Sequence, residues 1–418
     1  MKAQEDRWKI KGYERLVKFF EEVDKAELRE IGEIEEFLAL YSRLGEEQKL
    51  RFLNELVSNY GLRKSSLEPI LKEVMNCSED DKSWQELLTK LRDATLSPRF
   101  KKLRALVRWP GGLKFLLDMR GDILNLTARG GTSLSPLERD ISHLFENWFQ
   151  EGFLYLEEIT LDSPYRQIEM IKNRDLVHPM SSIEEMGARL GKDRRCFALY
   201  HKIWPMEPIV FIEAALTEGI VRNIDEIVGE RRKEFPRPDT AIFYSINNTQ
   251  NGLAGLGLGK VLIFKVVEFI TKREPNIRNF ATLSPLPGFY TRYLRPILLG
   301  EADGFLLKRE NIVEFFKGSK LRRLLRSFDK SEKDLNTLPD LLSKLFDSLE
   351  WADDQNLVEV LEEPLRKIAY KYITEEKTKD GKPFNPVANF HLGNGATVSL
   401  KNVNFLSNRS ERAMRDAL

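Results

Sequence analysis

Two side chains far apart in the chain have the makings of a proton-handling pair. Ser284 stands directly before Pro285, at the end of the run Asn279-Phe280-Ala281-Thr282-Leu283-Ser284. A residue before proline is pushed to extended backbone, and Pro285 and Pro287-Gly288 stop the strand signal there. The spacing predicts Ser284 as the last residue of a strand, at its carboxyl end, where open α/β sheets tend to hold ligands. His391 lies in Asn385-Pro386-Val387-Ala388-Asn389-Phe390-His391-Leu392-Gly393-Asn394-Gly395-Ala396. Histidine is the side chain that exchanges a proton near neutral pH. Its asparagine and glycine neighbours predict a tight, polar, backbone-rich site with strand character. His178 and His201 compete with it. His201 ends a strand signal and His178 precedes Pro179, and each reads equally as a hydrogen-bonded structural histidine. Spacing alone does not choose among the three. His143, inside a helical pattern, reads as a packed helical residue.

A glycine-rich stretch supplies the third chemical feature. It runs NNTQNGLAGLGLGK over 247–260 and carries Gly252, Gly255, Gly257 and Gly259. Glycine lets backbone N–H groups turn around a phosphate with no Cβ in the way, and the helix signal that follows adds a positive dipole end. Two familiar nucleotide loops are excluded. A P-loop needs glycine where Ala254 stands and Ser or Thr where Val261 stands. A dinucleotide fingerprint on Gly255-x-Gly257 needs glycine where Lys260 stands. What remains, Gln250-x-Gly252-x-x-Gly255, resembles the pyrophosphate loop of acetyltransferase-type (GNAT) domains. A plain strand-to-helix turn is the competing reading of the same residues.

The elements that must position these residues fall into two blocks. Residues 1 to about 150 read as helix, with apolar residues at helical spacing such as Leu16, Phe19, Phe20 and Val23. Pro98, Pro110-Gly111-Gly112, Gly130-Gly131 and Pro136 punctuate the block. Ser135 reads as the N-cap of a helix with Pro136 at its first position. Such a block, without convergent polar residues, predicts packing or oligomerisation rather than chemistry. From Gly152 the pattern changes. FLYLEEIT, CFALYHKI, IVFIEAAL and AIFYSI are strand signals. Asp162-Ser163-Pro164 ends the first and caps a helix from Tyr165. Trp204 to Pro208 reads as a hairpin connection, and VGERRKEF (228–235) as a solvated loop. The helix VLIFKVVEFITKR (261–273) puts Leu262, Val266, Phe269 and Ile270 on one face, with Lys265, Glu268 and Lys272 on another. Strand, loop, helix and strand together fit a crossover in a partly parallel sheet. Amphipathic segments from Phe289 to roughly 375 read as a helical insertion, and Lys379-Asp380-Gly381-Lys382 as a turn. The division expected is a helical unit over 1–152 and a catalytic unit over 153–418.

Composition narrows the classes. The chain has 418 residues and a formal net charge of +1, which argues against a dominant nucleic-acid surface. Cys77 and Cys196 are its two cysteines, too few for a disulfide framework or a cysteine-rich metal site. No window approaches the roughly eighteen apolar residues of a membrane span. The first twenty residues lack a signal-type apolar core and include Glu5, Asp6 and Glu14. A cytoplasmic protein is expected.

These segments together resemble the malonyl-CoA decarboxylase family over nearly the whole chain. The resemblance is carried by GGLKFLLDMRGDIL, ISHLFENWFQEGFL, EEITLDSP, LVHP, DRRCFALYH and EPIVFIEAAL, and most specifically by SINNTQNGLAGLGLG, TLSPLPGF and NPVANFHLGNGA. It implies an α+β chain: an all-helical N-terminal domain followed by a GNAT-like α/β catalytic domain with a helical insertion. It implies homo-oligomers and conversion of malonyl-CoA to acetyl-CoA and CO2 by a Ser-His pair, with no metal or organic cofactor. The family serine falls on Ser284, the histidine on His391, and the CoA-contacting loop on Ala254, Gly255, Leu256, Gly257, Leu258, Gly259 and Lys260. Gly257 stands where some members carry an acidic residue, so no carboxylate role is assigned there. The family usually continues through an apolar, tyrosine-containing tail beyond the Ser410–Leu418 stretch. Lys260 and Arg222 are the basic residues considered for the CoA 3′-phosphate. Two other functions share the glycine loop: a CoA-dependent acyltransferase, and a non-catalytic acyl-CoA-binding protein. Neither needs both Ser284 and His391.

Overall fold

The computed structural model describes residues 2–24, 31–130, 133–175, 177–228, 233–302, 304–405 and 416. The first block is helical throughout: α1 (Lys2–Glu22), α2 (Ile31–Ser42), α3 (Glu46–Asn59), α4 (Lys64–Asn76), α5 (Trp84–Ala94), α6 (Pro98–Val107), α7 (Gly112–Ala128) and α8 (Ser135–Trp148). The periodic positions bury as their spacing requires: Leu16, Phe20 and Val23 are inside. Ser97 caps α6, accepting from the N–H of Phe100, with Pro98 at the first helical position. The start of α8 differs from expectation. Ser135 is already helical, Leu134 holds the cap position, and no side chain caps it.

The sheet has five strands in chain order: β1 (Leu154–Ile159), β2 (Arg194–His201), β3 (Trp204–Thr217), β4 (Thr240–Asn248) and β5 (Asn279–Thr282). The first four are antiparallel, and β5 runs parallel to β4, with Thr240 opposite Asn279 and Phe243 opposite Thr282. A parallel step needs a crossover, and α11 (Leu258–Arg273) supplies it. Leu262, Val266 and Ile270 of α11 share a core with Phe197, Leu199, Val210 and Ile212. The alternate residues of the same strands, Cys196, Ala198, Tyr200 and Phe211, pack with α9 (Tyr165–Arg174) and α10 (Ile183–Ala188) on the other side. Strand periodicity of two separates the faces. Two connections depart from expectation. Trp204 to Pro208 belongs to β3, and the reversal is the dipeptide Lys202-Ile203, held by the Ile203 N–H on Nδ1 of His201. Ser163 does not cap α9. Its hydroxyl accepts from the N–H of Thr160 and closes the turn before that helix. The part of the 228–235 loop over 229–232 lies outside the described residues.

A polar cluster is buried between α9, α10 and the sheet. Asp175, following α9, accepts from the N–H groups of Val177 and His178, from Ser245 Oγ and from Asn247 Nδ2. Arg189, following α10, bridges Asp175 and Glu213 at 3.0 and 3.1 Å. Burial, opposed by Arg189 and reinforced by the Asp175 charge, pushes the Glu213 carboxyl up to about 8. The cluster pins the carboxyl half of β4, which leads into the glycine loop.

After β5 a π-helix (Phe289–Leu294), α12 (Arg295–Leu299), α13 (Gly318–Arg326), α14 (Leu338–Asp347) and α15 (Gln355–Thr374) build a second core. The predicted turn at Lys379–Lys382 is present, with Gly381 at φ +75°. It returns the chain to α16 (Pro386–Gly393). Asp416 accepts from Gly288 N–H and Thr291 Oγ. The rest of the 406–418 tail lies outside the described residues. No described helix is long and apolar enough to cross a membrane.

Candidate active site

His391 sits on a helix, which corrects the expected strand. Asn385 is the N-cap of α16 and fully buried; its Oδ1 accepts from the N–H groups of Val387 and Ala388 at 3.0 Å each. Pro386 fills the first helical position. Asparagine then proline is a helix-start signal, and it outweighs the loop-like composition that follows. His391 falls in the last turn of α16. Ser284 is not the last strand residue either. Ladder pairing in β5 ends at Thr282, Leu283 still donates to the Phe243 carbonyl, and Ser284 is the first residue free of the sheet.

The two residues meet. Ser284 Oγ and His391 Nε2 are 2.7 Å apart, 107 positions apart in the chain. Asn385 also braces the other side of the pair, since its Nδ2 donates to the carbonyl of Pro287, in the loop that follows Ser284. The hydroxyl of Ser284 is exposed, while His391 is half-buried. Burial lowers the His391 pKa below the ordinary histidine value. The ring is therefore held neutral at pH 7, although the end of a helix favours the charged form. A neutral imidazole can accept the hydroxyl proton; a protonated one donates Nε2–H to Oγ and frees the hydroxyl hydrogen for a ligand.

The glycine loop lies between β4 and α11, touching α16. Gln250 is half-buried and opens a short 3-10 turn over Asn251–Leu253. Gly252 is buried against α7, where a Cβ would lie 2.0 Å from the Leu117 carbonyl oxygen. Ala254 and Lys260 are exposed and Leu256 half-buried. Gly255 (φ +78°) and Gly257 (φ +72°) take the left-handed backbone that glycine permits, and Gly257 caps α11. Among the described residues, the N–H groups of Gly255, Gly257, Leu258 and Gly259 donate to no protein acceptor. That is the donor set an anion at a helix N-terminus requires. Gly259 has a different reason to be glycine: a Cβ there would lie 2.7 Å from the Phe390 ring. Phe390 precedes His391, so the loop and the histidine helix are in direct contact.

The competing histidines do not join the pair. His201 is buried, with Nε2 on the Trp148 carbonyl at 2.8 Å, a structural role. His178 is half-buried beside Tyr244, with ring centroids 6.0 Å apart. His143 is exposed rather than packed, with Nδ1 3.2 Å from Glu146. Arg222 is exposed and its carbonyl accepts from Asn404. Sequence reading overlooked Asn385, although the Asn-Pro pair announced it. It also overlooked Arg120 of α7, which donates to the carbonyls of Gly252 and Ala254 and for which no local signal exists. No group of three or more described His, Cys, Asp or Glu side chains could hold a metal ion.

Fold and site define a mixed α+β protein that carries a hydrogen-bonded serine–histidine pair beside a glycine-rich strand-to-helix loop. The family model for the malonyl-CoA decarboxylase C-terminal domain matches residues 152–418, and that for the N-terminal domain matches 64–149. The chain is 32% identical over 391 residues to the mitochondrial malonyl-CoA decarboxylase of Anser anser anser, covering 91% of this chain and 74% of the relative. It is 32% identical over 379 residues to that of Rattus norvegicus, with 88% and 74% covered. It resembles the crystal structure of malonyl-CoA decarboxylase from Rhodopseudomonas palustris with a TM-score of 0.76 and 30% identity, over 97% of this chain and 90% of the other. The Agrobacterium vitis structure gives 0.75 and 30% over the same shares. The chain belongs to the malonyl-CoA decarboxylase family and is a carboxy-lyase by class.

Proposed function

We propose that this protein decarboxylates malonyl-CoA to acetyl-CoA and CO2, with Ser284 and His391 as its proton-handling pair. The observation that carries the reading is the 2.7 Å contact between them beside the glycine loop. In this reading Gln250, Gly252 and the Ala254–Lys260 segment hold the CoA, the unbonded N–H groups facing its diphosphate. Loss of CO2 breaks the bond between the carboxylate carbon and C2. The electron pair passes into the thioester carbonyl as an enolate, which hydrogen-bond donors stabilise. C2 then takes a proton. His391 holds that proton as imidazolium, and Ser284 relays it: the Oγ–H bond breaks as C2–H forms, and Oγ takes the proton of Nε2. The malonyl carboxylate, arriving as an anion, opposes the effect of burial and favours the charged imidazole. Substrate thereby prepares its own acid.

The finer architecture belongs to the same proposal. The antiparallel β1–β4, the parallel step to β5 and the glycine loop ahead of α11 support a GNAT-like reading of the sheet. The change from helix to strand after Trp148 supports a helical unit over 1–152 and a catalytic unit over 153–418. Exposed Leu71 and Met75 on α4 support self-association through the helical unit. The free thiols of Cys77 and Cys196 support a reducing, cytoplasmic setting.

Incubation with malonyl-CoA alone tests the activity. Equal amounts of CO2 and acetyl-CoA, with no acceptor added, are expected. Turnover that requires an amine or carrier acceptor would instead mark a transferase, and binding without turnover an acyl-CoA-binding protein.

A further inference from the structure

Arg120 lies in α7, in the helical block, yet its guanidinium serves the glycine loop. Its side chain is 5% exposed. Nη1 donates to the carbonyls of Gly252 and, at 2.7 Å, Ala254. The other edge is fixed by Glu138 Oε1, at 3.0 and 2.8 Å from Nε and Nη2, and by Ser142 Oγ at 3.0 Å from Nε. Glu138 and Ser142 both lie on α8 and hydrogen-bond one another. A loop that grips an anion with N–H groups on one side must turn carbonyls to the other. Turned inward without donors, those carbonyls would be left unpaired, which is unfavourable. The backbones also touch, since a Cβ on Gly121 would lie 3.3 Å from the Gly252 nitrogen. Leu117 and Leu253 share one core.

We propose that Arg120 is a positioning residue for the acyl-CoA loop: by holding the Gly252 and Ala254 carbonyls inward, it aims the N–H groups of Gly255, Gly257, Leu258 and Gly259 outward at the diphosphate. The inference rests on the reading of that loop as the CoA grip, and it makes the helical block part of the substrate site. Arg120 touches no substrate atom. Its effect is confined to the part of the substrate that carries phosphate.

The test compares malonyl-CoA with malonyl-pantetheine, the same thioester without diphosphate or nucleotide, in the wild type, Arg120→Lys and Glu138→Ala. Glu138→Ala removes the carboxylate that fixes the other edge of the Arg120 guanidinium, and it keeps the test open if Arg120→Lys does not fold. The wild type is expected to favour malonyl-CoA. In both variants kcat/KM for malonyl-CoA falls about tenfold or more, while kcat/KM for malonyl-pantetheine stays at the wild-type value. Equal losses on both thioesters, or no loss on malonyl-CoA in a folded variant, would overturn the role of Arg120 and leave the loop reading standing. A wild type that treats both thioesters alike would overturn the loop reading and the proposal with it. A wild type that releases no CO2 from either would overturn the proposed function and, with it, this proposal.

Discussion

At the scale of single residues, the proposed mechanism makes the protonation of His391 decide when the site can work. Burial holds its pKa below the ordinary value in the free protein, and the proposed reaction needs the charged form to protonate C2. As a result kcat/KM, which reports the free enzyme, falls as pH rises through the lowered pKa of His391. Binding the malonyl anion raises that pKa, so the fall in kcat comes at higher pH. Paired pH profiles check this, and a kcat/KM that rises with pH through that range contradicts it. Ser284, from its place before Pro285, and His391, from its setting, were legible in the sequence only as candidates, and the family resemblance singled them out. Their meeting was not legible, because nothing local encodes contact between residues 107 positions apart. Neither was the choice among histidines: His201 has the same chemistry and spends it on the Trp148 carbonyl.

At the scale of elements, α16 carries the histidine and is held at both ends of its own start. Asn385→Ala removes the cap and the bond to the Pro287 carbonyl. Loss of the cap alone should cost about 1 kcal/mol of stability, with turnover falling further than affinity for CoA. Gly259→Ala drives a methyl into the Phe390 ring, tilting α16 and with it His391. A misplacement of that kind costs on the order of a hundredfold in turnover. Phe390→Leu in the same chain should restore part of it; a double variant no better than the single one would exclude the contact as the cause. In sequence the segment does not read as helix, because its glycines and asparagines suggest turns while the decisive Asn-Pro cap occupies only two positions. The strands, α11 and the parallel crossover were readable, since burial on one or both faces writes a period into the sequence. The Lys202-Ile203 reversal is hidden in the sequence because Pro205 and Pro208 look like turn residues, although β3 accommodates both.

At the scale of the whole molecule, the helical block and the sheet share one core, running from Leu16 through Leu117 and Phe145 to Leu262. Composition suggested that the block packs and does no chemistry. The clasp of Arg120 on the glycine loop gives it a second task, and no sequence period could report a contact made by one arginine across the interface. Stability of the whole depends on pH through the cluster beneath β4. Glu213 is pushed up to about 8 in the folded chain and returns to an ordinary carboxylate value on unfolding. The folded state therefore holds an extra proton between those values, and stability falls as pH climbs through that window, by at most about 1.4 kcal/mol per pH unit. Denaturation midpoints measured across pH should show this decline, and Glu213→Gln should flatten it; an unchanged slope in a folded variant would remove Glu213 as its source.

The central claim is that Ser284 and His391 do the chemistry while the glycine loop does the binding. CO2 release from malonyl-CoA by Ser284→Ala and by His391→Asn, measured beside the affinity of each variant for CoA, tests it most directly. Release should fall on the order of a hundred- to a thousand-fold in each, with affinity for CoA unchanged. Wild-type release from either variant would contradict it.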